Sequence, residues 1–356
     1  LIIAGLLGSA AWLYLAFSAH HPWDATTAIV VSSMAIAISD VIADSMVVER
    51  IQGSSQATAG ELQSLCWSAT AVGGILTAYL SGILLEYFSQ RTIFAITATF
   101  PLLVAIAALL MKEERVKSSI QLSVAKQQVV KLKDALIQKS IWLPILFLFL
   151  WQATPNSESA FFFFTTNDLG FNPEFLGRVR LVTSLASLIG IWIFQRFLKE
   201  VKMRVIFLWS TLISSGLGMT ALLLVTHANR AIGISDRWFS LGDSLILTAM
   251  GQLAFMPVLV LAARLCPKGI EATMFAVIMA LSNLAGVLSH EFGAVLMNWM
   301  DITETDFRLL WLLVLVANLS TLLPLPLLRW LPSGEDSDDD SMPTMPPTEE
   351  VLAASR

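Results

Sequence analysis

Apolar residues along this chain gather into ten long segments that short polar stretches separate. The segments cover 1–19, 25–48, 61–88, 92–111, 141–164, 176–198, 204–226, 239–263, 270–298 and 307–328. Each is close to the roughly 20 residues that a helix needs to cross a hydrocarbon core about 30 Å thick. The pattern therefore predicts an all-α polytopic membrane protein with about ten transmembrane helices.

The composition excludes a soluble domain. Of the 356 residues, 56% are hydrophobic, and the mean hydropathy is +0.71. The formal net charge of −5 says little about partners, because an acidic stretch at 331–356 supplies much of it. That stretch cannot bury enough apolar surface to fold and is predicted to be a disordered acidic tail.

The basic residues indicate which way the segments cross the membrane. The long loop at 112–140 carries seven Lys or Arg residues against three acids, and an excess of Lys and Arg marks the cytoplasmic side. With this loop inside, alternation gives fifteen basic residues to the inner loops and six to the outer side. The loop divides the chain into four segments at 1–111 and six at 141–330.

Two carboxylates lie within the second apolar segment, where an ionisable side chain is costly and is a functional candidate by default. Asp40 and Asp44 are four residues apart, so they share one helix face, about 6 Å apart along the axis. Two carboxylates this close in a low dielectric do not both ionise, which predicts a protonatable site. The alternative is that Asp44 lies near the inner surface and pairs with Arg50.

The fifth segment predicts a broken helix. Pro155 removes a backbone donor in its middle, and the polar Asn156 and Glu158 crowd that position. Transporters build binding sites near the bilayer midplane from such broken helices. Phe162 and Phe163 follow directly and would suit a flat heteroaromatic ligand, although phenylalanine is also ordinary lipid-facing filler.

Further polar residues interrupt the eighth and ninth segments. Asn283 and His290 are seven residues apart and share a helix face, where His290 is a candidate proton relay. A hydrogen bond between helices explains them equally well. Asp243 lies near the outer end of the eighth segment, where capping of the helix N-terminus or an interfacial position is the alternative to a binding role.

Motifs of catalysis and nucleotide binding are absent from the sequence. It holds no P-loop pattern, no HExxH, no GxSxG and no CxxC. We therefore expect no enzyme activity, no cofactor, no metal site and no nucleic-acid partner. Any transport would draw on a gradient of ions or of substrate.

Three stretches carry a resemblance to a known family. They are SDVIADSMVVER at 39–50, NDLGFNPEFLG at 167–177, and FMP at 255–257 followed by LCPKGIEAT at 265–273. They resemble the folate-biopterin transporter family of the major facilitator superfamily, and the resemblance extends over nearly all of 1–330. The motif residues that it marks as gate or structural positions are Arg50, Gly170, Gly177, Pro257, Cys266, Pro267, Gly269 and Glu271.

The resemblance implies a major facilitator fold of twelve helices in two six-helix halves that alternate in access. It implies a folate or pterin as substrate, symport with protons, and a monomer in the plasma membrane or a plastid envelope. Residues 1–111 would be the remaining four helices of the N-terminal half, 112–140 a cytoplasmic linker and 141–330 the C-terminal half. Since about ten of twelve helices are present, the chain is expected to be truncated at its N-terminus.

The resemblance also suggests roles for single residues. Asp40 would contact the substrate or the coupling proton, while the residues around Pro155 shape the site from the other half and Phe162 and Phe163 stack on the pterin ring. Arg178 and Arg180 would attract the carboxylates of a glutamate tail, unless they only anchor the interface. Glu271 would hold an inner gate or cap its helix. The remaining alternatives are a transporter of another organic anion or solute, and a membrane protein that does not transport.

Overall fold

The computed structural model describes residues 1–51, 55–111, 122–267 and 269–332, and within these ranges all regular structure is helical. The α-helices, numbered α1 to α15 in chain order, are Ile2–Phe17, Pro22–Ile51, Gln56–Tyr87, Gln90–Thr97, Thr99–Leu110, Leu122–Ile137, Lys139–Gln152, Glu158–Phe163, Pro173–Ile193, Met203–Gly218, Ala221–Val225, Ala228–Ala231, Asp236–Arg264, Glu271–Trp299 and Leu310–Ser320. Single π-turns at Phe164–Asp168 and Phe194–Leu198 extend α8 and α9, and a 3₁₀ helix covers Leu325–Trp330.

Seven stretches of helix in the described part of the chain are long and apolar enough to cross a membrane. They are Pro22–Ile51, Gln90–Leu110, Glu174–Leu198, Met203–Val225, Asp236–Arg264, Glu271–Trp299 and Leu310–Trp330. An eighth arises if Gln127–Ile137 and Lys139–Gln152, which meet at a bend of 77°, count as one span. The predicted class, an integral multi-pass helical membrane protein, is confirmed, whereas the count of ten is not.

The shortfall has identifiable causes. Helix α1 has 16 residues, fewer than a full crossing needs. The predicted segment 141–164 does not continue as one helix, because α7 ends at Gln152 and α8 begins only at Glu158. The third predicted segment lies in α3, a 32-residue helix that is not among the seven candidate spans.

By its contacts the chain divides into two compact units, one of residues 1–50 and 76–128 and one of residues 51–75 and 129–356. The predicted division at the 112–140 linker is different, since it assigns all of 1–111 to the first half, and it stays a prediction. Residues 112–121 of that linker and 333–356 of the predicted tail lie outside the described residues.

In the first unit, α1 packs on α4 and α5 through small residues. Gly5 faces the backbone of α5, where an added Cβ would lie 2.6 Å from the carbonyl oxygen of Pro101. Ser89 caps the N-terminus of α4, where its side chain accepts a hydrogen bond from the backbone N–H of Thr92. The close approach of α1 to α5 depends on the missing side chain of Gly5.

In the second unit, α9 and α10 each pack on α13, and α7 and α8 pack on α14. Asn172 caps the N-terminus of α9, where its side chain accepts a hydrogen bond from the backbone N–H of Phe175 at 3.0 Å. A buried cluster joins α8, α11 and α15 and is centred on Phe164, Leu224 and Leu310, none of which is more than 2% exposed. This core holds the helix that follows the break at 153–157 in place.

Candidate functional site

The candidate site is built on the interruption between α7 and α8. Residues 153–157 are not helical, and Pro155 lies at their centre. Proline cannot donate a backbone hydrogen bond, and its ring disfavours the helical conformation in the residue before it. The sequence predicted this break. It leaves backbone groups inside a membrane protein that need partners from elsewhere in the chain.

Helix α14 supplies those partners through Ser289. Its hydroxyl donates to the carbonyl oxygen of Thr154 at 2.5 Å, and it accepts from the side-chain amide of Asn156 at 3.0 Å. The backbone N–H of Asn156 donates to the carbonyl oxygen of Ser289 at 3.2 Å. Three hydrogen bonds at one residue therefore hold the break against α14.

Two more residues of α14 contact the same segment. Ser282 donates its hydroxyl to the side-chain oxygen of Gln152 at 2.7 Å, just before the break. Gly293 lies against the backbone of Asn156, where an added Cβ would overlap the carbonyl oxygen. Positions 282, 289 and 293 are seven and four residues apart and so form one face of α14. This face positions the break along three turns of helix.

An open pocket of about 360 Å³ lies directly beyond the break. It is lined by Glu158, Ser159, Phe162, Phe163 and His290. The carboxylate oxygen Oε2 of Glu158 lies 3.9 Å from Nε2 of His290, and the rings of Phe162 and Phe163 lie 5.9 Å apart at 65°. The sequence predicted four of these residues as separate candidates, and the structure brings them together.

The local backbone fixes the position of Glu158. Its N–H donates to the side-chain oxygen of Asn156 at 3.1 Å, and Asn156 is held in turn by Ser289. The side chain of Glu158 is 78% exposed and that of His290 is 51% exposed, so both can reach a ligand. The pocket therefore offers an acceptor-only carboxylate, an imidazole and two aromatic faces, an arrangement that suits a flat ring with polar edges.

The aspartates predicted in the second segment lie in the first unit. Asp40 is exposed and Asp44 is half-buried, both on α2. Among the described residues, no ion pair joins Asp44 to Arg50, which is exposed in the last turn of α2. The pairing alternative for Asp44 is therefore not observed, and its role together with Asp40 stays a prediction.

Asp243 does not cap a helix. Helix α13 begins at Asp236 with Ser235 as the residue before it, so Asp243 lies in the third turn, where it is half-buried. The hydroxyl of Thr220 donates to its carboxylate. The capping alternative for Asp243 is wrong, and a partner on the preceding helical segment replaces it.

The two predicted arginines differ in their surroundings. Arg178 forms an ion pair with Glu174 at 2.6 Å, one turn earlier on α9, and both side chains are exposed. Arg180 is also exposed. An anion that bound Arg178 would have to compete with Glu174. Asn283, exposed on α14, does not line the pocket that contains His290.

The motif residues shape turns and helix ends. Gly170 and Gly269 have φ values of +64° and +86°, in the left-handed region that favours glycine. The N–H of Gly269 donates to the carboxylate of Glu271 at 2.8 Å, which places Glu271 at the start of α14.

Burial raises the pKa of the Cys266 thiol. Pro257 and Pro267 are also buried, and an added Cβ at Gly177 would meet no atom within 4 Å.

Sequence reasoning missed the residues of α14 that hold the break. Serine and glycine are common in apolar helices, and nothing in their spacing alone distinguishes Ser282, Ser289 and Gly293 from other small residues. The seven-residue interval between the two serines was the available signal. It acquires meaning only when a broken helix is known to pack against that face.

Comparison with known proteins gives a family. The sequence pattern of the BT1 family matches residues 1–347. The chain is 59% identical over 338 residues to a protein of Synechocystis sp. named "Folate-biopterin transporter". The aligned region covers 95% of this chain and 68% of that protein. It is 30% identical to "Folate transporter 2" of Plasmodium falciparum, over 94% of this chain and 73% of that protein.

A relative in a plant and a solved structure extend the comparison. The chain is 31% identical to "Probable folate-biopterin transporter 2" of Arabidopsis thaliana, over 94% of this chain and 69% of that protein. The crystal structure of a bacterial homologue of the iron transporter ferroportin, in an outward-facing state, matches with a TM-score of 0.55 and 15% identity. The match covers 92% of this chain and 83% of the other. At this identity it shows a shared fold, which confirms the major facilitator architecture.

Proposed function

This chain belongs to the BT1 family, and we propose that it carries folates or pterins across a membrane by proton symport and alternating access. The family and its named relatives are transporters and not enzymes, which agrees with the absence of catalytic motifs from the sequence. The observation that carries the substrate class is the 59% identity to the Synechocystis transporter over 95% of this chain.

The pocket beyond the helix break supports this substrate class. A volume of about 360 Å³ is within the range of roughly 300–1,000 Å³ that small-molecule sites occupy. The pterin ring is flat and aromatic, so it can lie against Phe162 or Phe163 while its polar edge meets Glu158 and His290. In this proposal the transporter acts as a monomer, and the broken helix positions the site.

Proton coupling is assigned to the aspartates of α2. Asp40 and Asp44 lie on one face of a helix that is long and apolar enough to span the membrane. Ionisable groups in such a position form the proton relays of pumps and transporters. Asp40 is the coupling carboxylate in this proposal, since it lies further from the inner end of the helix than Asp44.

Uptake of radiolabelled folic acid and of radiolabelled pterin, at two external pH values, tests the proposal. Cells that express the protein should show saturable uptake that rises at acid pH and falls when a protonophore collapses the gradient. Excess unlabelled folate should block the uptake, while an unrelated organic anion should not. Uptake that unrelated anions block equally would contradict the substrate class. Folate uptake that does not respond to pH or protonophore would contradict symport alone.

A further inference from the structure

The pair formed by Glu158 and His290 has unused hydrogen-bonding capacity. Their facing atoms, Oε2 and Nε2, are 3.9 Å apart, which is longer than a direct hydrogen bond of about 2.7–3.2 Å. Within the described part of the chain, no side chain donates to the carboxylate of Glu158 at hydrogen-bond distance. Both groups line the same pocket and are open to a ligand.

The backbone holds the two groups at this separation. Glu158 is the first residue of α8, and its N–H is bound by Asn156. His290 follows Ser289, the residue whose hydroxyl and carbonyl oxygen bind Thr154 and Asn156. The contacts that fasten the break to α14 therefore also set the distance between the carboxylate and the imidazole. The pair is positioned by its surroundings and does not depend on mutual contact.

Side by side, the Glu158 carboxylate offers two hydrogen-bond acceptors and the His290 imidazole offers one donor. A carboxylate accepts with two oxygens and binds two adjacent N–H groups, while an imidazole nitrogen that carries a proton donates. The edge of a 2-amino-4-oxopteridine presents the 2-amino group, then N3–H, then the O4 oxygen. The first two donate and the third accepts, so this edge is complementary to Glu158 beside His290.

We propose that Glu158 and His290 determine specificity by binding the aminopyrimidinone edge of the pterin ring, with the carboxylate accepting from the 2-amino group and N3–H and the imidazole donating to O4. The ring face then lies against Phe162, whose side chain is 54% exposed, and Phe163. This inference rests on the proposed function and adds to it the part of the substrate that is recognised.

A pair of near-identical ligands isolates the role of the 2-amino group. Lumazine, which is 2,4-dioxopteridine, differs from pterin by an oxygen at position 2. That oxygen is an acceptor facing one carboxylate oxygen of Glu158, so these two atoms lack a donor between them, while N3–H still binds the other carboxylate oxygen. Sites built to bind a donor reject analogues that lack it, and we expect pterin to compete for folate uptake at least about tenfold better than lumazine.

The test measures how well pterin and lumazine each inhibit uptake of radiolabelled folic acid. The ratio of their inhibition constants does not depend on how much protein reaches the membrane. In Glu158→Gln the side-chain amide matches lumazine, since its NH2 group donates to O2 and its oxygen accepts from N3–H. With pterin the NH2 group must face either the 2-amino group or N3–H, both of them donors, so the ratio should fall to about one or below. Glu158→Asp keeps a carboxylate and should keep the preference for pterin.

Two further variants complete the design. His290→Ala should weaken inhibition by both compounds alike, because each retains O4, and so leave the ratio unchanged. Glu291→Gln is the matched control for Glu158→Gln. Glu291 is an exposed acid next to His290 on α14, and it does not line the pocket. The absence of folate and pterin uptake by the unsubstituted protein would overturn the transport proposal. Uptake with an unchanged ratio in Glu158→Gln would overturn this inference alone.

Discussion

Gly293 and Gly286 are two glycines of α14 that should respond oppositely to the same substitution. A Cβ at Gly293 would overlap the carbonyl oxygen of Asn156, whereas a Cβ at Gly286 would meet no described atom within 4 Å. Both residues lie inside one helix, one heptad apart. Replacement by alanine therefore adds the same methyl group in the same backbone conformation, with a clash at one site and none at the other.

The magnitude follows from two terms. Alanine gains about 0.5–1 kcal/mol over glycine in a helix interior at both positions. Forcing an extra carbon into a packed contact costs about 1–3 kcal/mol, and this applies only to Gly293 because the opposing atom is backbone that a side-chain rotation cannot move. The propensity term cancels in the comparison, so Gly293→Ala should be less stable than Gly286→Ala by about 1–3 kcal/mol.

Thermal unfolding of the purified protein in detergent, followed by tryptophan fluorescence, measures the difference. At roughly 2–4 °C per kcal/mol the two variants should differ in Tm by several degrees, with Gly293→Ala below the unsubstituted protein or close to it and Gly286→Ala at or above it. Uptake should separate them further, because a displaced Asn156 no longer holds the N–H of Glu158.

Equal melting temperatures for the two variants, or a higher one for Gly293→Ala, would refute the reasoning. Either outcome would mean that α14 and the break do not approach as closely as the contact between Gly293 and Asn156 requires. An equal loss of uptake in both variants would show that transport does not depend on the contact between Gly293 and Asn156.

Three other predictions concern polar groups inside the predicted spans. Asp40→Asn should abolish the rise of uptake at acid pH, while Asp24→Asn, at the opposite end of α2, should leave it intact; retained pH dependence in the first variant would exclude the coupling role. Ser289→Ala should lower stability by about 1–2 kcal/mol in thermal unfolding, since two side-chain hydrogen bonds inside a membrane protein are worth about 0.6 kcal/mol each and the vacated groups have no other hydrogen-bond partner among the described residues. Thr220→Val should destabilise the protein by about 0.6–1.7 kcal/mol, and this effect should shrink in a background with Asp243→Leu, as a double-mutant cycle of unfolding free energies would show; strict additivity would contradict the contact.

Local chemistry explains which features the sequence could predict. Pro155 breaks its helix wherever the rest of the chain lies, because the missing N–H and the ring clash are properties of the residue itself. The long apolar runs likewise need a membrane whatever their order. The ion pair between Arg178 and Glu174 follows the four-residue spacing of a helix, so the sequence alone is enough to predict it.

The role of Asp243 shows where local reasoning failed, while the predicted count of ten helices is not confirmed. The segment 141–164 was counted as one span with a break at Pro155, and the chain does leave the helix at 153–157 and resume in a short α8. Asp243 looked like a helix cap because it lies close to the predicted start of its segment, whereas α13 begins at Asp236 and Thr220 supplies a partner. The error concerns where a helix begins, which apolar length does not fix to a single residue.

The sequence by itself determined the membrane class, the broken helix, the family resemblance and most of the residues that line the pocket. Only the tertiary structure decided that Glu158 and His290 face each other, since they lie on different helices and no periodicity relates them. It also assigned Ser289 and Gly293 to the support of the break. The physical reason is that a backbone freed from its own helix must be satisfied by another, and which helix that is depends on packing between distant segments.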